Sequence, residues 1–599
     1  MKRGKRTSRL TGGRRLNIPK IIITVVLIAT AITSVVLLLK KTPEDSKKEK
    51  TSSTEKITKE SIAENVVEVK EKTIDEILND FGGGEILEQP KPDTYYVRKE
   101  EKEYTIYLDG DIVEGRIPVW QGDSVQPQVG ADGVLNINNA AELKWVSDQV
   151  SSGAKNFAGV TILLNSDIDL GARKVNNKWE GNNWTSIIGF LDEQKQETTD
   201  GNTTPDNNST QDANVTENQT QVENQVTETD QVAESVEDDV KVTNENLKRF
   251  AGTFNGNNKT IRGLLINSEE RYQGLFGYSV GVIQNVNLKA SNINGGSGVG
   301  ALVGLNGGTI TGCNIKNVEV NGKEKVGGFV GISMANSSIE SCNIIEQGCF
   351  VHGTRYVGGI VGYMNSNATL KYCTNRATVS GEDFTGGISG ISFFGSTVTG
   401  CYNKSIKITG KQSVGGIIGY SQATVDQCAC IDDDGYKGIV QGEKYVGGIV
   451  GLNYEMGNVA NSYNGQKIKA TKDNLGGIVG LNSSAITNSY NTGDVDGSEM
   501  DEIKIGGICG QNVSNSQIML CYNIGNVEYK TDGQGDVGLN FGKLQTIYYL
   551  DSCIKENKNM NLENKRSADE LKLVASVLGD GYKNDDENKN GGYPILAWQ

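Results

Sequence analysis

The chain runs to 599 residues with 75 glycines and only 8 prolines, which fits an all-β repeat protein and excludes collagen, where Gly recurs at every third position. Acidic residues outnumber basic ones by 74 to 59; beyond residue 41 the balance is 49 basic (59 − 10) against 74 acidic, or −25, and such a surface repels phosphate backbones and argues against nucleic-acid binding. The single histidine, His352, excludes a His-Glu-x-x-His metallopeptidase site, which needs two.

The first forty-one residues hold ten basic side chains and no acidic one. Residues 1–20 read as a basic cytoplasmic tail. Ile21 to Leu39 is an uncharged apolar run of nineteen residues, bounded by Lys20 and Lys40-Lys41, and is long enough for a single transmembrane helix. The eight basic residues before it place the N-terminus in the cytoplasm and the bulk outside the cell, as in a single-pass signal-anchor. The rival is a cleaved signal peptide, cut after Ala29-Thr-Ala31. Residues 42–93 have the composition of a charged linker, within which 59–80 suits a juxtamembrane helix ending at Gly82-Gly-Gly84. Residues 94–130 read as a small β-element carried by Tyr104-Thr-Ile-Tyr-Leu108 and Ile117-Pro-Val-Trp120.

Residues 131–190 read as the N-terminal cap of a solenoid. Asn139 with Glu142 three places on forms a capping-box pattern, and Leu143, Val146 and Val150 share one helical face. Residues 191–248 are rich in Asn, Thr, Gln and acids, the composition of a disordered insertion. Its glycosylation-type tripeptides, such as Asn202-Thr-Thr and Asn214-Val-Thr, arise by chance in such a tract.

Residues 249–553 carry the repeat. The run Gly-Gly-apolar-apolar-Gly returns as Val326-Gly-Gly-Phe-Val-Gly331, Val357-Gly-Gly-Ile-Val-Gly362, Val414-Gly-Gly-Ile-Ile-Gly419 and onward to Ile505-Gly-Gly-Ile-Cys-Gly510. From Gly300 the steps to Gly327, Gly358, Gly386, Gly415, Gly447, Gly476 and Gly506 are 27, 31, 28, 29, 32, 29 and 30 residues, a period that means stacked units. Each unit also places an aliphatic residue three positions before a Cys or Ser (Ile310/Cys313, Ile339/Cys342, Leu370/Cys373, Val398/Cys401, Val425/Cys428, Val459/Ser462, Ile486/Ser489, Ile518/Cys521). Two places later five units carry Asn: Asn375, Asn403, Asn464, Asn491 and Asn523. Short β-prone runs with turns between them, and no helical period, predict a parallel β-helix-like solenoid with short capping helices. About nine coils at ~4.8 Å give ~40 Å. The glycines are expected to supply positive φ at corners and close backbone approach, and the asparagines a hydrogen-bonded ladder. Strict alternation puts Ile360 on one face and Val357 and Val361 on the other, so both faces are apolar; we expect the strand to be covered on both sides rather than left for a neighbouring molecule. Residues 554–599 read as the C-terminal cap: Ser567 with Glu570 forms a second capping box, Leu571, Val574, Ala575 and Leu578 line one face, Gly579 ends the helix, and the Tyr593–Trp598 segment helps close the end.

The helix at Asn139–Val150, Asp167-Ile-Asp-Leu170, Phe254-Asn-Gly256, Gly274-Leu-Phe-Gly277 and the Val-Gly-Gly-Ile-Val-Gly units resemble the GLUG-repeat region of bacterial cell-surface proteins, a region also found beside the catalytic part of IgA-specific metallopeptidases. The resemblance spans about 131–599. It implies a surface protein with a β-helix-like fold, and adhesion as its role.

Candidate chemistry is sparse. Cys313, Cys342, Cys373, Cys401 and Cys428 share one repeat position, within disulfide reach across coils; small reduced thiols filling a narrow core, cross-coil bridges and a metal site are the alternatives. Two acidic loops suit calcium. One is Asp432-Asp-Asp-Gly435. In the other, Asp586, Asn588 and Asn590 match the first half of a calcium loop, with Ala597 where the bidentate Glu belongs. No other cofactor is implied. A catalytic triad has only His352 to draw on, and no Arg/Lys/Asp cluster marks a polysaccharide-cleaving groove. The expectation is a non-enzymatic, membrane-anchored extracellular scaffold or adhesin-like protein with a cell-surface glycan or protein as partner; a polysaccharide-active enzyme and a structural envelope spacer are the alternatives.

Overall fold

The computed structural model describes residues 72–184, 189, 248–501, 504–530, 535–554 and 562–599. The apolar run 21–39, the residues around it and the insertion up to residue 247 lie outside the described residues. Among the described residues no helix is long and apolar enough to cross a membrane.

Helix α1 (Ile74–Phe81) starts at a capping box in which Thr73 and Glu76 exchange hydrogen bonds, and it ends at Gly82 with φ +83°. It packs on an antiparallel meander, β1 (Glu85–Lys91), β2 (Thr94–Lys99), β3 (Lys102–Tyr107) and β4 (Ile112–Glu114), around Ile77, Val97 and Ile106. Helix α1 and strand β1 thus fall within the stretch whose composition suggested a linker. The meander is tied to the first coils by a buried guanidinium. Arg262 pairs with Asp109 at 3.0 Å and Asp111 at 2.7 Å, and lies 3.5 Å from the Tyr107 ring.

From Leu135 the chain winds as a parallel β-solenoid. In one coil, Arg355–Gly358 runs into a corner at Gly359-Ile360 and Val361–Met364 leaves it. Thr369–Lys371, Thr374–Asn375 and Thr378–Ser380 complete the turn before Asp383–Gly386 begins the next. Register is strict: Val357 pairs with Val326 and Thr385, and Val361 with Val330 and Ser389. The strands that leave the corner stack as a ten-stranded sheet of their own, from Phe276–Ser279 to Val537–Asn540. The aliphatic residues that precede the thiols belong to one apolar column: Leu135, Ile162, Phe254, Ile283, Ile310, Ile339, Leu370, Val398, Val425, Val459, Ile486, Ile518 and Leu544. Twelve steps of ~4.8 Å make this column about 58 Å long. It exceeds the length expected from the glycine signature because stacking needs only the inward apolar residue, which the cap segments Leu135–Ile137 and Thr161–Leu164 also supply.

The paired glycines serve close approach and not positive φ. A Cβ on Gly358 would sit 2.0 Å from the Val361 oxygen, and one on Gly359 2.1 Å from the Gly387 oxygen. The left-handed positions fall elsewhere: Ser341, Tyr372, Gln427, Asn461 and Asn488 just before the thiol column, and Tyr356, Phe384, Ser413 and Tyr445 two residues before Gly-Gly. These kinks break strict alternation. Val357, Ile360 and Val361 all point into the inner core, because a corner lies between them. Tyr356 and Phe384 fold instead over the outer face of the ten-stranded sheet, stacked at 5.4 Å and edge-on to Tyr363 and Tyr420. The outer apolar column Tyr278, Leu305, Ile332, Tyr363, Ile391, Tyr420 and Leu452 is therefore covered by the protein's own side chains.

Helix α2 (Ala140–Ser151) is capped by Asn139, whose side chain accepts from Glu142 N at 3.0 Å, and it buries Leu143, Val146 and Val150 at the N-terminal end of the core. The expected C-terminal helix is broken at Leu573-Val574 into α3 (Ala568–Lys572) and α4 (Ala575–Leu578), with the Ser567/Glu570 box formed and Leu571 and Leu578 in the core. The tail does more than close the end. After Ile595–Leu596 pairs with Tyr582–Lys583 it turns along the flank, where Trp598 Nε1 donates to the Asn461 oxygen at 2.8 Å.

Candidate functional site

The residue after the thiol column forms a second column on the flank: Tyr402, Ala429, Tyr463, Tyr490, Tyr522 and Tyr548, all in register. Tyr463 stacks on Tyr490 at 4.9 Å and Tyr490 on Tyr522 at 5.0 Å, both nearly parallel. Ala429 leaves one ring missing, so Tyr402 and Tyr463 stand two coil steps, ~9.6 Å, apart. Trp598 comes alongside this gap, 6.3 Å from Tyr402 and 6.1 Å from Tyr463 between ring centroids. Next to these rings opens a cleft of about 430 Å³, within the range of small-ligand sites. Four coils supply Tyr402, Ile431, Tyr463, Gly465, Tyr490 and Thr492; the tail supplies Lys589, Asn590, Trp598 and Gln599.

The coil that lacks the tyrosine also lacks the asparagine. Elsewhere the buried amides form the expected ladder: Asn375 Nδ2 donates to Asn403 Oδ1 at 3.0 Å, and Asn464 to Asn491 and Asn491 to Asn523 at 2.8 Å each. Cys430 stands in that register between Asn403 and Asn464. Gln466 reaches back to bridge the break. Its Oε1 accepts from Cys430 Sγ at 3.2 Å, and its Nε2 donates to the Ser405 and Ile431 oxygens at 2.9 and 2.7 Å. The main chain at Ile431, in the wall of the cleft, is thereby fixed.

The tail is held as firmly. Gln599 Oε1 accepts from the Tyr490 hydroxyl at 3.0 Å and from Leu596 N at 2.7 Å. Asp585 gathers the amides of Lys589, Asn590 and Gly592; partial burial pushes its carboxyl up, and these donors prevail and hold it below the usual carboxylate range. Lys589 is the one formally charged side chain among the lining residues, and its Nζ is engaged by the Gln599 main-chain oxygen at 2.9 Å and by Glu587 at 3.0 Å. Burial pushes the Tyr463 hydroxyl up to about 12 and that of Tyr490 higher, so both remain neutral hydrogen-bonding groups.

The residues singled out from sequence lie around this cleft or away from it. Of the calcium candidates, Asp586 and Asn588 are exposed, while Asn590 turns its amide to the Tyr522 hydroxyl at 2.8 Å and the Pro594 oxygen at 3.3 Å. In the other acidic loop Asp433 is held by Arg376 at 2.9 Å and Lys404 at 3.6 Å, and Asp432 by Lys437 at 2.7 Å. Among the described residues no group of three His, Cys, Asp or Glu side chains is placed to hold a metal. All ten cysteines are free and buried. Cys342 N donates to Cys373 Sγ at 3.4 Å, and burial pushes the thiols of Cys313, Cys373 and Cys428 up. His352 is exposed on Phe350–His352, opposite Asn321 and Ser380. Sequence reasoning misses Tyr402, Tyr463 and Tyr490, and takes Trp598 only as part of the end-closing Tyr593–Trp598 segment. The signal for the tyrosines is the Tyr-Asn pair that follows the thiol position at 402, 463, 490 and 522, and its replacement by Ala429-Cys430 in one coil; Trp598 has no such signal.

No protein-family model matches the sequence, and no curated protein does. Among solved structures the chain is similar to the crystal structure of a "putative immunoglobulin A1 protease" from Bacteroides ovatus, at 15% identity, over 81% of this chain and 98% of that one, with a TM-score of 0.28. A TM-score of 0.28 carries no argument about fold or function. The β-solenoid assignment rests on the strand register described above.

Proposed function

We propose that this is a membrane-anchored extracellular solenoid that works as an adhesin-like binding protein or surface scaffold. The observation that carries the reading is the lateral cleft, walled by aromatic rings on a stack whose register fixes their spacing. Three features of the sequence support the placement. The apolar run 21–39 follows eight basic residues, the chain beyond it is strongly acidic, and the repeat resembles that of GLUG surface proteins. Binding, not turnover, is proposed, because the cleft holds rings, amides and a paired lysine and no acid–base pair. Two measurements test this. Protease added to intact cells that express the chain should remove a tag at residue 599 and spare one at residue 1. The full chain, with and without 191–248, should capture material from isolated cell surfaces. A protected C-terminal tag, or product release from surface polysaccharides, would overturn it.

A further inference from the structure

We infer that the cleft between the tyrosine column and the C-terminal tail binds a short neutral saccharide. The inference rests on the binding reading above and names its ligand class.

The chemistry of the walls points there. A pyranose ring has an apolar C–H face and a girdle of hydroxyls, so its site needs aromatic faces beside uncharged donors and acceptors. Tyr402, at one edge of the step left by Ala429, and Trp598, alongside that step, are partly exposed rings, and Ile431 adds apolar wall. Three of the lining residues carry a polar atom with hydrogen-bonding capacity left. The Tyr402 hydroxyl and Asn590 Oδ1 have no partner among the described residues, and the Thr492 hydroxyl, which donates to the Asn464 oxygen at 3.3 Å, keeps its lone pairs. Charge selects against the anionic alternatives. The one lysine is already paired, so a uronate, sulfate or phosphate would find no free cation. Rigidity favours small polar ligands, whose binding suffers most from ordering costs. The coil walls are strands in a continuous stack, and the tail wall is pinned by Gln599 to Tyr490 and by Trp598 to Asn461.

The test uses the full chain in micelles of a detergent with no sugar headgroup. It is screened against neutral oligosaccharides of hexoses and N-acetylhexosamines, sialylated, uronic and sulfated glycans, and proline-rich peptides, with calorimetry on the tightest ligand. The expected result is saturable binding of a neutral saccharide. Trp598→Ala should weaken it by about tenfold or more, and Tyr402→Phe, which removes one hydroxyl, by about fivefold. Melting of Tyr402→Phe should match that of the unaltered chain, and if Trp598→Ala melts lower, Tyr402→Phe and Thr492→Val decide the matter. Affinity unchanged in these variants, binding confined to anionic glycans or peptides, or no saccharide bound at all would overturn the inference. Capture of surface material with every neutral saccharide failing would sink the inference and leave the binding reading standing. A protected C-terminal tag with saccharide binding intact would do the reverse.

Discussion

Asn491 offers the sharpest test of what holds the coils together. It is fully buried, and its amide makes four hydrogen bonds. Nδ2 donates to Asn523 Oδ1 and to the Gly493 oxygen, both at 2.8 Å; Oδ1 accepts from Asn464 Nδ2 at 2.8 Å and from Gly493 N at 3.2 Å. In Asn491→Ala, Asn464 keeps the Gln466 oxygen and Asn523 keeps Gly525 N, but Gly493 loses its side-chain partner at both N–H and C=O. Two stranded buried groups at about 1–3 kcal/mol each put the loss at about 2–6 kcal/mol. Asn526→Ala, which removes an exposed bond to Asp494, should cost less than about 0.5 kcal/mol. Guanidinium unfolding followed by circular dichroism gives the magnitude. Because a repeat array need not unfold in one step, hydrogen exchange supplies the location, with protection lost first between residues 460 and 530. If Asn491→Ala behaves like Asn526→Ala, or protection falls evenly along the chain, the buried amide column is not what couples neighbouring coils.

Three further outcomes follow from the geometry. Gly415→Ala places a Cβ 1.9 Å from the Ile418 oxygen and should destabilise by about 3 kcal/mol or more, whereas Gly465→Ala, whose nearest neighbour is Thr492 Oγ1 at 3.4 Å, should stay within about 1 kcal/mol; paired unfolding curves check both. Burial pushes Cys430 and Cys521 up to about 12, so their contribution is fully present below pH ~8.5 and is lost as pH rises towards 12. The melting temperature should fall across that window, and less steeply in Cys521→Ser. Calcium should leave the melting midpoint unchanged, since Asn590 is engaged by Tyr522 and Pro594; a rise abolished by Asp586→Ala would show that the loop binds the ion.

Much of the solenoid was legible because its side-chain columns recur at one position per unit. Ile310 to Ile518 and Asn375 to Asn523 are in register in the structure as their spacing implied. The work of the glycines was legible in part: the expected close backbone approach is there, 2.0 Å from a Gly358 Cβ to the Val361 oxygen, but the paired glycines have no positive φ, and the two demands select the same residue. The covered outer sheet was expected, but by an alternation that the left-handed Tyr356 and Phe384 break, and no local pattern marks those kinks. The cleft escaped for a different reason. Tyr402 and Trp598 are 196 residues apart in sequence, and what joins them is the path of the tail along the flank.

The position of the missing ring has an evolutionary consequence. Every wall of the cleft comes from residues 402–492 and the tail, while the coils between about 299 and 386 contribute none. Duplicating or deleting a unit in that earlier stretch would change the protein's reach by one step of ~4.8 Å and leave recognition alone. The same event between Tyr402 and Tyr463 would pull apart the two rings that Trp598 touches. Reach and recognition can therefore be inherited as separate traits, and length variants in a lineage should differ ahead of residue 402, not within the stretch that follows it.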